Sequence, residues 1–331
     1  MADLTVSRVT ADAVVIGRNE GARLKACLQS LAPQVRRIVY VDSGSTDGSA
    51  ALARSLGAEV VDLDLGRPFT AARARNAGIE RLCIGLPQPE FVQFVDGDCM
   101  VDPAWMRNAV QAFAEHPDAV VICGRRRERF PEMSIYNRLC DREWNTPVGP
   151  ARACGGDALM RFSALLAAGG YRDDLIAGEE PELCVRLRQR GGTIWRTDAE
   201  MTLHDAAITR FSQFWKRSKR AGHAFAEGAA LHGAPPERHW VRETRRAAFW
   251  GAAVPVAAIT GAIAIHPALI GLLLLWPFQV LRLAWTWRRE GPVGREAALL
   301  WVPAKLAEAQ GALGYWFNRM AGRRRGLIEY K

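Results

Sequence analysis

Short apolar runs alternate with stretches of helical character through the first 210 residues, and this alternation constrains the fold more than any other feature. The runs that predict strands are 13–16, 38–41, 60–63, 91–95 and 120–123. The stretches that predict helices are 24–31, 49–56, 71–82 and 103–116. Strands that alternate with helices favour an α/β fold with a mostly parallel sheet, in which ligands bind at the carboxyl ends of the strands.

Acidic and polar residues follow three of the predicted strands. Gly17-Arg18-Asn19-Glu20 follows the first strand, Asp42-Ser-Gly-Ser-Thr-Asp47 follows the second, and Asp96-Gly97-Asp98 follows the fourth. No G-x-G-x-x-G follows the first strand and no G-x-x-x-x-G-K-[ST] occurs, which disfavours a dinucleotide fingerprint and a P-loop. Acidic side chains at successive strand ends instead favour a nucleotide whose diphosphate is neutralised by a metal.

The candidate metal site is Asp96-Gly97-Asp98. Alternate residues of a strand share a face, so two aspartates separated by one glycine can point at one cation beyond the strand end. Carboxylate oxygens suit Mg²⁺ or Mn²⁺, which also bind phosphate oxygens. The alternative is a turn without a ligand, because Asp and Gly are both common in turns.

A run of 35 residues, 247–281, contains no Asp, Glu, Lys or Arg. One helix of this length would span about 52 Å, whereas the hydrocarbon core of a bilayer is about 30 Å thick. Two spans that turn near His266-Pro267 fit better, because proline ends helices. Arginines flank both ends of the run, so the positive-inside rule predicts a hairpin with both ends in the cytoplasm. A pair of buried core helices and a re-entrant hairpin are the alternatives.

Positive charge is concentrated in the C-terminal third. Residues 210–331 contain 19 Lys and Arg against seven Asp and Glu, whereas residues 1–209 contain 25 against 28. Because the arginines bracket an apolar run, we expect contact with anionic membrane lipids and not with nucleic acid. An amphipathic helix at about 297–316, followed by Arg319, Arg323, Arg324 and Arg325, predicts a further anchor on anionic lipid. A solvated basic tail is the alternative.

The cysteines and the first residues indicate a cytosolic compartment. All seven cysteines lie within the first 184 residues, without a C-x-x-C pair or zinc-ligand spacing, which favours reduced thiols over structural zinc. The first 17 residues lack the basic and apolar regions of a signal peptide. We therefore expect the first 210 residues to stay in the cytoplasm.

Five motifs resemble those of the family-two, GT-A-fold inverting glycosyltransferases in order and approximate spacing. They are VVIGRNEGARLKACLQSL, VDSGSTDGS, ARARNAGI, FVQFVDGDCM and GEEPELCVRLRQRG. The likeness extends from about residue 12 to 205 and includes the bacterial membrane-linked branch that builds surface glycans or glycolipids. It implies a GT-A domain (Rossmann-like, with a mostly parallel sheet) at 1–235 and a Mn²⁺ or Mg²⁺ cofactor. The remainder, 236–331, would be a membrane-associating region, with a hydrophobic hairpin at about 247–287 and an amphipathic, basic tail at 293–331.

The resemblance assigns the donor nucleotide to residues near the strand ends. Glu20 and Asp42 resemble positions that hold the ribose and the base, usually uracil, and Arg18 is grouped with them. Arg75 resembles a further nucleotide contact. The alternative for Asp42 and Asp47 is turn formation and helix capping, and the alternative for Arg75 is a solvated face of its helix.

The resemblance also assigns the metal and the sugar contacts. Asp96 resembles the acid that serves the ribose and the metal, and Asp98 resembles the direct metal ligand. His204 lies where several relatives supply another metal or diphosphate contact, although a satisfied surface or core histidine is the alternative. Asp157 is a candidate for a donor or acceptor hydroxyl contact or for a turn, and Gly156 would let a sugar approach the backbone.

The candidate catalytic base lies in Gly178-Glu179-Glu180-Pro181-Glu182. The family usually has Glu-Asp here and uses the second acid to deprotonate the acceptor hydroxyl; this chain places Glu180 there, one methylene longer. Pro181 suits the first turn of a helix, whose N-terminal dipole would favour the ionised carboxylate of Glu180. Glu179 is the second choice, and a capping acid without a catalytic role is the alternative.

The predicted amphipathic basic helix at 211–220 supplies the candidates for the acceptor or phosphate side. These candidates are Trp215, Arg217 and Arg220. Guanidinium groups bind phosphates well, but a solvated, membrane-facing surface explains the same residues. Processive relatives carry a Gln/Arg-x-x-Arg-Trp motif near here, which this chain lacks.

Together these features predict a metal-dependent inverting glycosyltransferase of the hexosyltransferase type. It would move a sugar from a nucleotide-sugar, with a UDP-sugar favoured, to a hydroxyl of a lipid-linked or glycolipid acceptor. We expect it at the bacterial inner membrane, with its catalytic domain on the cytoplasmic side. The alternatives are a non-catalytic nucleotide-sugar-binding scaffold and a sugar nucleotidyltransferase, although no glycine-rich, basic loop follows Ile16.

Overall fold

The structure is a computed structural model that describes residues 10–323. Its strands are β1 Ala11–Gly17, β2 Ile38–Asp42, β3 Glu59–Asp62, β4 Phe91–Asp96, β5 Cys99–Val101, β6 Ala119–Glu128, β7 Gly149–Ala151, β8 Ala158–Arg161 and β9 Thr193–His204. Its α-helices are α1 Ala22–Leu31, α2 Ser49–Ser55, α3 Ala71–Leu82, α4 Trp105–Glu115, α5 Ile135–Trp144, α6 Phe162–Ala167, α7 Glu179–Gln189, α8 Phe211–His232, α9 Val241–Ala248, α10 Val254–Ala264, α11 Leu275–Thr286 and α12 Gly291–Met320. Shorter segments are a π-helix at Phe249–Ala253 and 3₁₀ helices at Pro131–Met133, Pro267–Leu274 and Arg288–Glu290.

All nine elements predicted for the first 123 residues are present as β1–β4, β6 and α1–α4, and most of their ends lie within two residues of the prediction. The largest difference is β6, which continues to Glu128 instead of ending at Cys123. Its extension consists of Gly124, three arginines and Glu128, and it is held in the sheet because Arg125, Arg126 and Arg127 pair with β9. An apolar run alone therefore marks only the first half of this strand.

The described residues form two compact units. The first, the sheet unit, contains 10–129, 144–175 and 179–205; the second, the helical unit, contains 130–143, 176–178 and 206–323. The structure thus groups residues 206–235 with the C-terminal helices, although the sequence predicts a domain boundary at about 235. The two-domain division therefore stays a prediction. The predicted tail residues Arg324 and Arg325 lie outside the described part of the chain.

The sheet unit contains a nine-stranded mixed sheet with the order β3-β2-β1-β4-β8-β6-β9-β5, and β7 pairs with β9. The strands β3, β2, β1 and β4 run parallel, whereas β8 is antiparallel to both β4 and β6. The chain order reverses between β1 and β4, because β2 and β3 continue in one direction and β4 lies on the other side. In open α/β sheets this reversal creates a crevice outside the carboxyl ends of the strands, where ligands bind.

The core of the sheet unit fixes α3 against the central strand. Val14 and Phe94, on β1 and β4, are fully buried. Gly78 of α3 lies so close to Val14 that a Cβ atom at this glycine would collide with the valine methyl group. A residue one turn earlier on the same helix, Arg75, is consequently held in the interior and not on a solvated face.

The helical unit is built around α8 and α12. Gly222 of α8 contacts the backbone of Glu308, and Gly311 of α12 contacts the backbone of Lys219, so closely that neither position leaves room for a Cβ atom. Small residues at these crossings let the two helix backbones approach each other. The helix predicted at 297–316 is confirmed as part of α12, and that predicted at 211–220 as part of α8.

Two helical stretches of this unit, Val241–Ala264 and Pro267–Thr286, are long and apolar enough to cross a membrane. Only 22% and 11% of their most apolar windows are buried, and Ile263 and Ile265 are 82% and 80% exposed. The predicted turn is confirmed, because α10 ends at Ala264 and His266 Nδ1 accepts a hydrogen bond from the Ala268 amide at 3.1 Å. The alternative of buried core helices does not agree with this exposure.

Candidate functional site

The predicted acidic residues meet at the carboxyl edge of the sheet. In the parallel pairs formed by β1, Gly17 lies opposite Asp42 and Ile16 lies opposite Asp96. The Gly97 amide donates a hydrogen bond to the Ile16 carbonyl at 2.8 Å, which fixes the turn that follows β4. The strand ends of β1, β2 and β4 therefore present one continuous polar surface.

Asp42 is a buried carboxylate that shapes the loop after β2. Its Oδ2 accepts hydrogen bonds from the Gly44 and Ser45 amides at 3.0 and 2.7 Å, and its Oδ1 accepts one from the Tyr40 hydroxyl at 2.9 Å. Asp47 accepts a hydrogen bond from the Ser49 amide at 3.0 Å, where α2 begins. Both aspartates thus stabilise the turns that follow them, as the alternative interpretation predicts. A nucleotide contact by Asp42 stays a prediction.

Four side chains gather at the end of β4. Asp96, Asp98, Cys99 and His204 each offer one ligand atom, and these atoms lie within 4.8 Å of one another. The pairing of β5 with β9 brings His204 here, since Cys99 lies directly opposite it. His204 Nε2 is 3.2 Å from Asp98 Oδ1, and the Trp144 ring meets the imidazole edge-on with the ring centres 4.8 Å apart. His204 therefore lies beside the two aspartates, and its role as a metal ligand stays a prediction.

The donor set of this cluster fits Mn²⁺ or Mg²⁺. Burial and the charge of Asp157 raise the pKa of the Cys99 thiol well above its usual value, so this sulfur stays protonated and is a poor ligand. Two carboxylates and one imidazole remain, and oxygen-rich sets of this kind suit Mn²⁺ and Mg²⁺ better than zinc, which favours thiolates. Burial raises the pKa of Asp96, but the charges of Arg75 and Arg126 outweigh it, so the net pKa lies below its usual value.

Arg75 joins this cluster to the candidate base. Its Nη2 is 2.9 Å from Asp96 Oδ1, while its Nη1 lies 2.8 Å from Glu179 Oε1 and 2.9 Å from Glu180 Oε1. The side chain is only 2% exposed, so the alternative of a solvated helix face is wrong. One buried guanidinium therefore holds three carboxylates, and a nucleotide contact by Arg75 stays a prediction.

Glu180 lies in the first turn of α7, as the position of Pro181 predicts. Its pKa is raised to about 7 by burial and by the charge of Glu179, against the opposing charge of Arg75. This direction is opposite to the lowered pKa that the helix dipole alone would give, because desolvation of the carboxylate outweighs the dipole. A carboxyl group with a pKa near neutral pH suits general base catalysis.

A second arginine of the cluster, the half-buried Arg126, was not found by sequence reasoning. Its Nη2 is 3.4 Å from Asp96 Oδ2, its Nε is 3.5 Å from Asp157 Oδ2, and its guanidinium lies over the Trp144 ring. The run Arg125-Arg126-Arg127 directly after an apolar strand was the available signal, but only the pairing of β6 with β9 shows that it remains in the sheet. Cys99 was also missed, because it joins the cluster only through the pairing of β5 with β9.

Asp157 is a buried neighbour of the cluster. It is 0% exposed, and its carboxylate accepts hydrogen bonds from the Asp96 amide at 3.2 Å and from the Thr202 hydroxyl at 2.7 Å. This enclosure gives no support to the predicted contact with a sugar hydroxyl. Gly156 is required for another reason than expected, since a Cβ atom there would lie 2.7 Å from Arg75 Nη2 and 2.8 Å from Asp96 Oδ2.

A comparison with protein families assigns the first half of the sequence to a known family. Residues 12–165, which include β1–β4 and the Asp96-Gly97-Asp98 turn, match the family described as Glycosyl transferase family 2. This stretch is a family-two glycosyltransferase domain. The structure agrees, because a mannosyltransferase from Pyrobaculum calidifontis, solved in complex with GDP-Man and Mn²⁺, superposes with a TM-score of 0.65 over 93% of this chain and 87% of that chain. At 18% identity this likeness concerns the fold, which is the GT-A fold.

Two curated relatives are similar to this chain over 60% and 40% of its length. The succinoglycan biosynthesis protein ExoA of Rhizobium meliloti is 27% identical over 213 residues, which are 60% of this chain and 64% of that protein. An uncharacterized glycosyltransferase of Rickettsia felis is 28% identical over 140 residues, which are 40% of this chain and 47% of that protein. The matches thus span less than two thirds of the length of these relatives.

The remaining donor-side candidates, Arg18 and Glu20, directly follow β1. Arg18 is exposed, with its guanidinium 4.8 Å from the centre of the Phe69 ring. Glu20 is half-buried and forms an ion pair with Arg23 at 2.7 Å. Arg23 Nη1 also lies 3.8 Å from Asp205 Oδ2, next to His204. Both candidates are therefore near the strand ends, and their contacts with a nucleotide stay predictions.

The candidates for the acceptor or phosphate side belong to the helical unit. Trp215 Nε1 donates a hydrogen bond to Gln310 Oε1 at 3.0 Å, and Arg217 Nη2 lies 2.8 Å from Glu143 Oε2. Arg220 is half-buried on the same helix, α8. Trp215 and Arg217 thus contact other parts of their own unit, and phosphate binding by these three residues stays a prediction.

Proposed function

We propose that this chain is a metal-dependent, inverting glycosyltransferase that moves a sugar from a nucleotide-sugar to a hydroxyl group of a membrane or lipid-linked acceptor. The observation that carries the proposal is the Arg75 network, in which one buried guanidinium contacts Asp96 of the candidate metal cluster and Glu180, the candidate base. Donor and acceptor chemistry would then take place in adjoining parts of one charge network. A UDP-sugar is favoured as the donor.

The donor half of the reaction rests on Asp96, Asp98 and His204. These side chains would hold Mn²⁺ or Mg²⁺, which when bound offsets charge on the leaving nucleoside diphosphate. Arg126, half-buried beside Asp96, would orient that carboxylate and balance part of its charge. Arg18, Glu20 and Asp42, at or near the ends of β1 and β2, are the proposed contacts of the nucleotide.

The acceptor half rests on Glu180. Its carboxylate would remove the proton from the acceptor hydroxyl while that oxygen attacks the anomeric carbon, and a single displacement of this kind inverts the configuration. The raised pKa, about 7, keeps an appreciable ionised fraction at neutral pH and makes the group basic enough to accept the proton. Glu179 is the second candidate, but its carboxylate is 5% exposed against 14% for Glu180.

The helical unit supports a membrane-bound acceptor. Its two exposed apolar stretches, Val241–Ala264 and Pro267–Thr286, are long enough to enter a bilayer. An enzyme attached in this way meets lipid-linked acceptors at the membrane surface. We therefore propose surface glycan or glycolipid synthesis at the bacterial inner membrane, with the glycosyltransferase domain in the cytoplasm.

Calorimetric binding of UDP, GDP and dTDP to the detergent-purified protein, each with and without Mn²⁺, tests the donor site. We expect one nucleotide to bind in a metal-dependent manner, with the binding lost in Asp98→Ala and kept in Asp47→Ala, since the Asp47 carboxylate accepts a hydrogen bond from the Ser49 amide at the start of α2. Sugar transfer from the matching nucleotide-sugar is then assayed with a lipid extract as the acceptor. Binding of none of the three nucleotides, or full metal-dependent binding by Asp98→Ala, would contradict the proposal.

A further inference from the structure

A groove of about 390 Å³ in the helical unit is lined by four arginines and two aromatic residues. They are Arg238, Arg242, Arg245, Arg246, Phe249 and Trp250. All four arginines are exposed, and we call this feature the arginine groove. It belongs to the part of the chain where the first apolar stretch begins.

Most residues that line the groove lie on one side of a continuous helical segment. Arg242, Arg245, Arg246 and Phe249 follow one another at intervals that place them on the same side of the helix. Arg238 joins them from the preceding turn. The repetition of guanidinium groups on one side therefore follows from the helix itself.

The turn that delivers Arg238 is strained. Arg238 and Trp240 both have positive φ angles, 45° and 51°, which residues other than glycine rarely adopt. Tertiary packing maintains this turn, because the Trp240 ring packs against Phe225 and lies so close to Gly228 that a Cβ atom there would be 2.5 Å from it. Backbone strain that is held by surrounding structure is common at ligand sites.

The lining of the arginine groove contains four arginines and no acidic residue. Elsewhere in the helical unit arginines pair with acids: Arg138 with Glu296 at 2.7 Å, and Arg217 with Glu143 at 2.8 Å. Among residues 10–323, no ion pair of this kind joins a carboxylate to any of the four groove arginines. Like charges on one helix face repel each other, so an anion bound between them would relieve this repulsion.

The other end of the groove is apolar. Phe249 is 52% exposed, and the Trp250 carbonyl accepts a hydrogen bond from Trp276 Nε1 of the second apolar helix at 3.1 Å. The Trp250 ring also meets the Trp301 ring edge-on, with 5.4 Å between the ring centres. Trp250 is thus fixed where charged surface changes to hydrocarbon-like surface. A ligand that matches both ends combines a phosphate with an apolar chain.

We propose that the arginine groove binds the phosphate or diphosphate of a phosphorylated lipid, and that this lipid is the carrier of the acceptor sugar. The second part rests on the proposed function, since only a glycosyltransferase needs an acceptor. A diphosphate that links a sugar to a lipid carries two charges, which several guanidinium groups recognise better than the single charge of an ordinary phospholipid diester. The apolar helix that follows the groove would contact the hydrocarbon chain.

Calorimetry with the full chain in neutral detergent tests this proposal with farnesyl diphosphate as the probe. We expect Arg242→Ala/Arg245→Ala/Arg246→Ala to bind it about a hundredfold more weakly, at about fivefold per arginine. The control is Arg288→Ala/Arg289→Ala/Arg295→Ala, which removes the same charge after the second apolar stretch and should bind within about twofold of the unchanged protein. Inorganic diphosphate should bind the unchanged protein more weakly than farnesyl diphosphate, because it lacks the apolar chain.

Three outcomes overturn the proposal. Equal losses in the two triple variants would mean diffuse electrostatic attraction and no built site. Micelles of phosphatidylglycerol that compete as well as farnesyl diphosphate would assign the groove to bulk lipid, and a single-stranded oligonucleotide that competes as well would assign it to nucleic acid. Metal-dependent nucleotide binding, measured in the same samples, reports separately on the proposed function, because no groove arginine belongs to the candidate donor site.

Discussion

The two units of this protein distribute charge and apolar surface in opposite ways. In the sheet unit Asp12, Arg75 and Asp157 are almost completely buried, and each contacts groups of opposite charge. In the helical unit Ile263 and Ile265 are more than three quarters exposed, and the arginine groove presents four exposed arginines to its surroundings. The first pattern holds charges inside a fold, whereas the second exposes groups that need an external partner.

This difference indicates the kind of environment that suits each unit. Burying a charge costs free energy unless partners compensate it, so a compensated cluster next to a crevice is typical of a catalytic site. Exposed aliphatic side chains over a long stretch are unfavourable in water but favourable in lipid. This contrast supports the proposals that the sheet unit carries the chemistry and that the helical unit offers a surface to an amphiphilic partner.

The largest expected effect concerns Glu180, a carboxyl group of the sheet unit whose pKa is raised to about 7. Glu180→Gln should lower kcat by about 10²- to 10⁴-fold, because an amide cannot accept the proton of the acceptor hydroxyl. Nucleotide binding should stay within about twofold, since the side chain keeps its size. Steady-state kinetics and calorimetry measure the two quantities. Glu179→Gln is the control, and a larger loss of kcat in that variant would transfer the role of base to Glu179.

A matched pair of substitutions tests the contrast between the units directly. Val14→Asp, at a position that is 1% exposed, should lower the free energy of unfolding by about 4 kcal/mol or more, because it buries an unpaired charge. Ile263→Asp, at 82% exposure, should change it by less than about 0.5 kcal/mol in detergent. The same variant should partition into membranes about a hundredfold more weakly. Denaturation and vesicle flotation provide the measurements; unaltered flotation would remove the basis for a membrane role of this stretch.

Arg75 should be essential for the stability of the sheet unit. Arg75→Met leaves Asp96, Glu179 and Glu180 without their shared cation and should lower the free energy of unfolding by about 3 kcal/mol, as measured by urea denaturation. Arg75→Lys restores the charge without the forked geometry and should recover only part of this loss. A change below about 0.5 kcal/mol in Arg75→Met would show that solvent already screens the three carboxylates.

The smallest effect follows from the pKa of Glu180, which is raised from 4.5 to about 7 by burial and by Glu179. The base must be ionised, so kcat/KM should rise with pH through about 7 and be about tenfold lower at one unit below that value. Stability should change in the opposite sense, because the protonated form is favoured in the folded state. The contribution of this group is therefore complete below about pH 4.5 and is lost as the pH rises to about 7. Glu80→Gln, at an exposed position of α3, should leave both profiles unchanged.

The strands and helices that the sequence predicts are those with strong apolar periodicity. Elements β1–β4, β6 and α1–α4 belong to this group, whereas β5, β7, α5, α6 and the polar strand β9 were not predicted. A short strand or a strand that alternates charged and apolar residues is stabilised by its neighbours, so its own composition carries little signal. Proximity in the chain likewise made Asp96 and Asp98 easy to find.

The site also contains residues that no local pattern predicts. Arg126 and Cys99 reach the cluster through pairings with β9, and these pairings depend on strand register and not on composition. Arg75 was expected to contact a nucleotide, yet it bridges three carboxylates of the protein. The expected lowering of the Glu180 pKa was wrong, because the helix position was visible in the sequence and the burial was not.

The sequence by itself determined the alternation that makes an α/β sheet, the D-x-D turn at a strand end, and the two apolar stretches separated at His266-Pro267. These features depend on residues close in the chain, so periodicity and turn chemistry suffice to predict them. Tertiary structure decided which charges are paired and which are left for a partner. Arg75 and Glu179 lie 104 residues apart, and the strength of their interaction depends on a distance and a burial that only the folded chain creates.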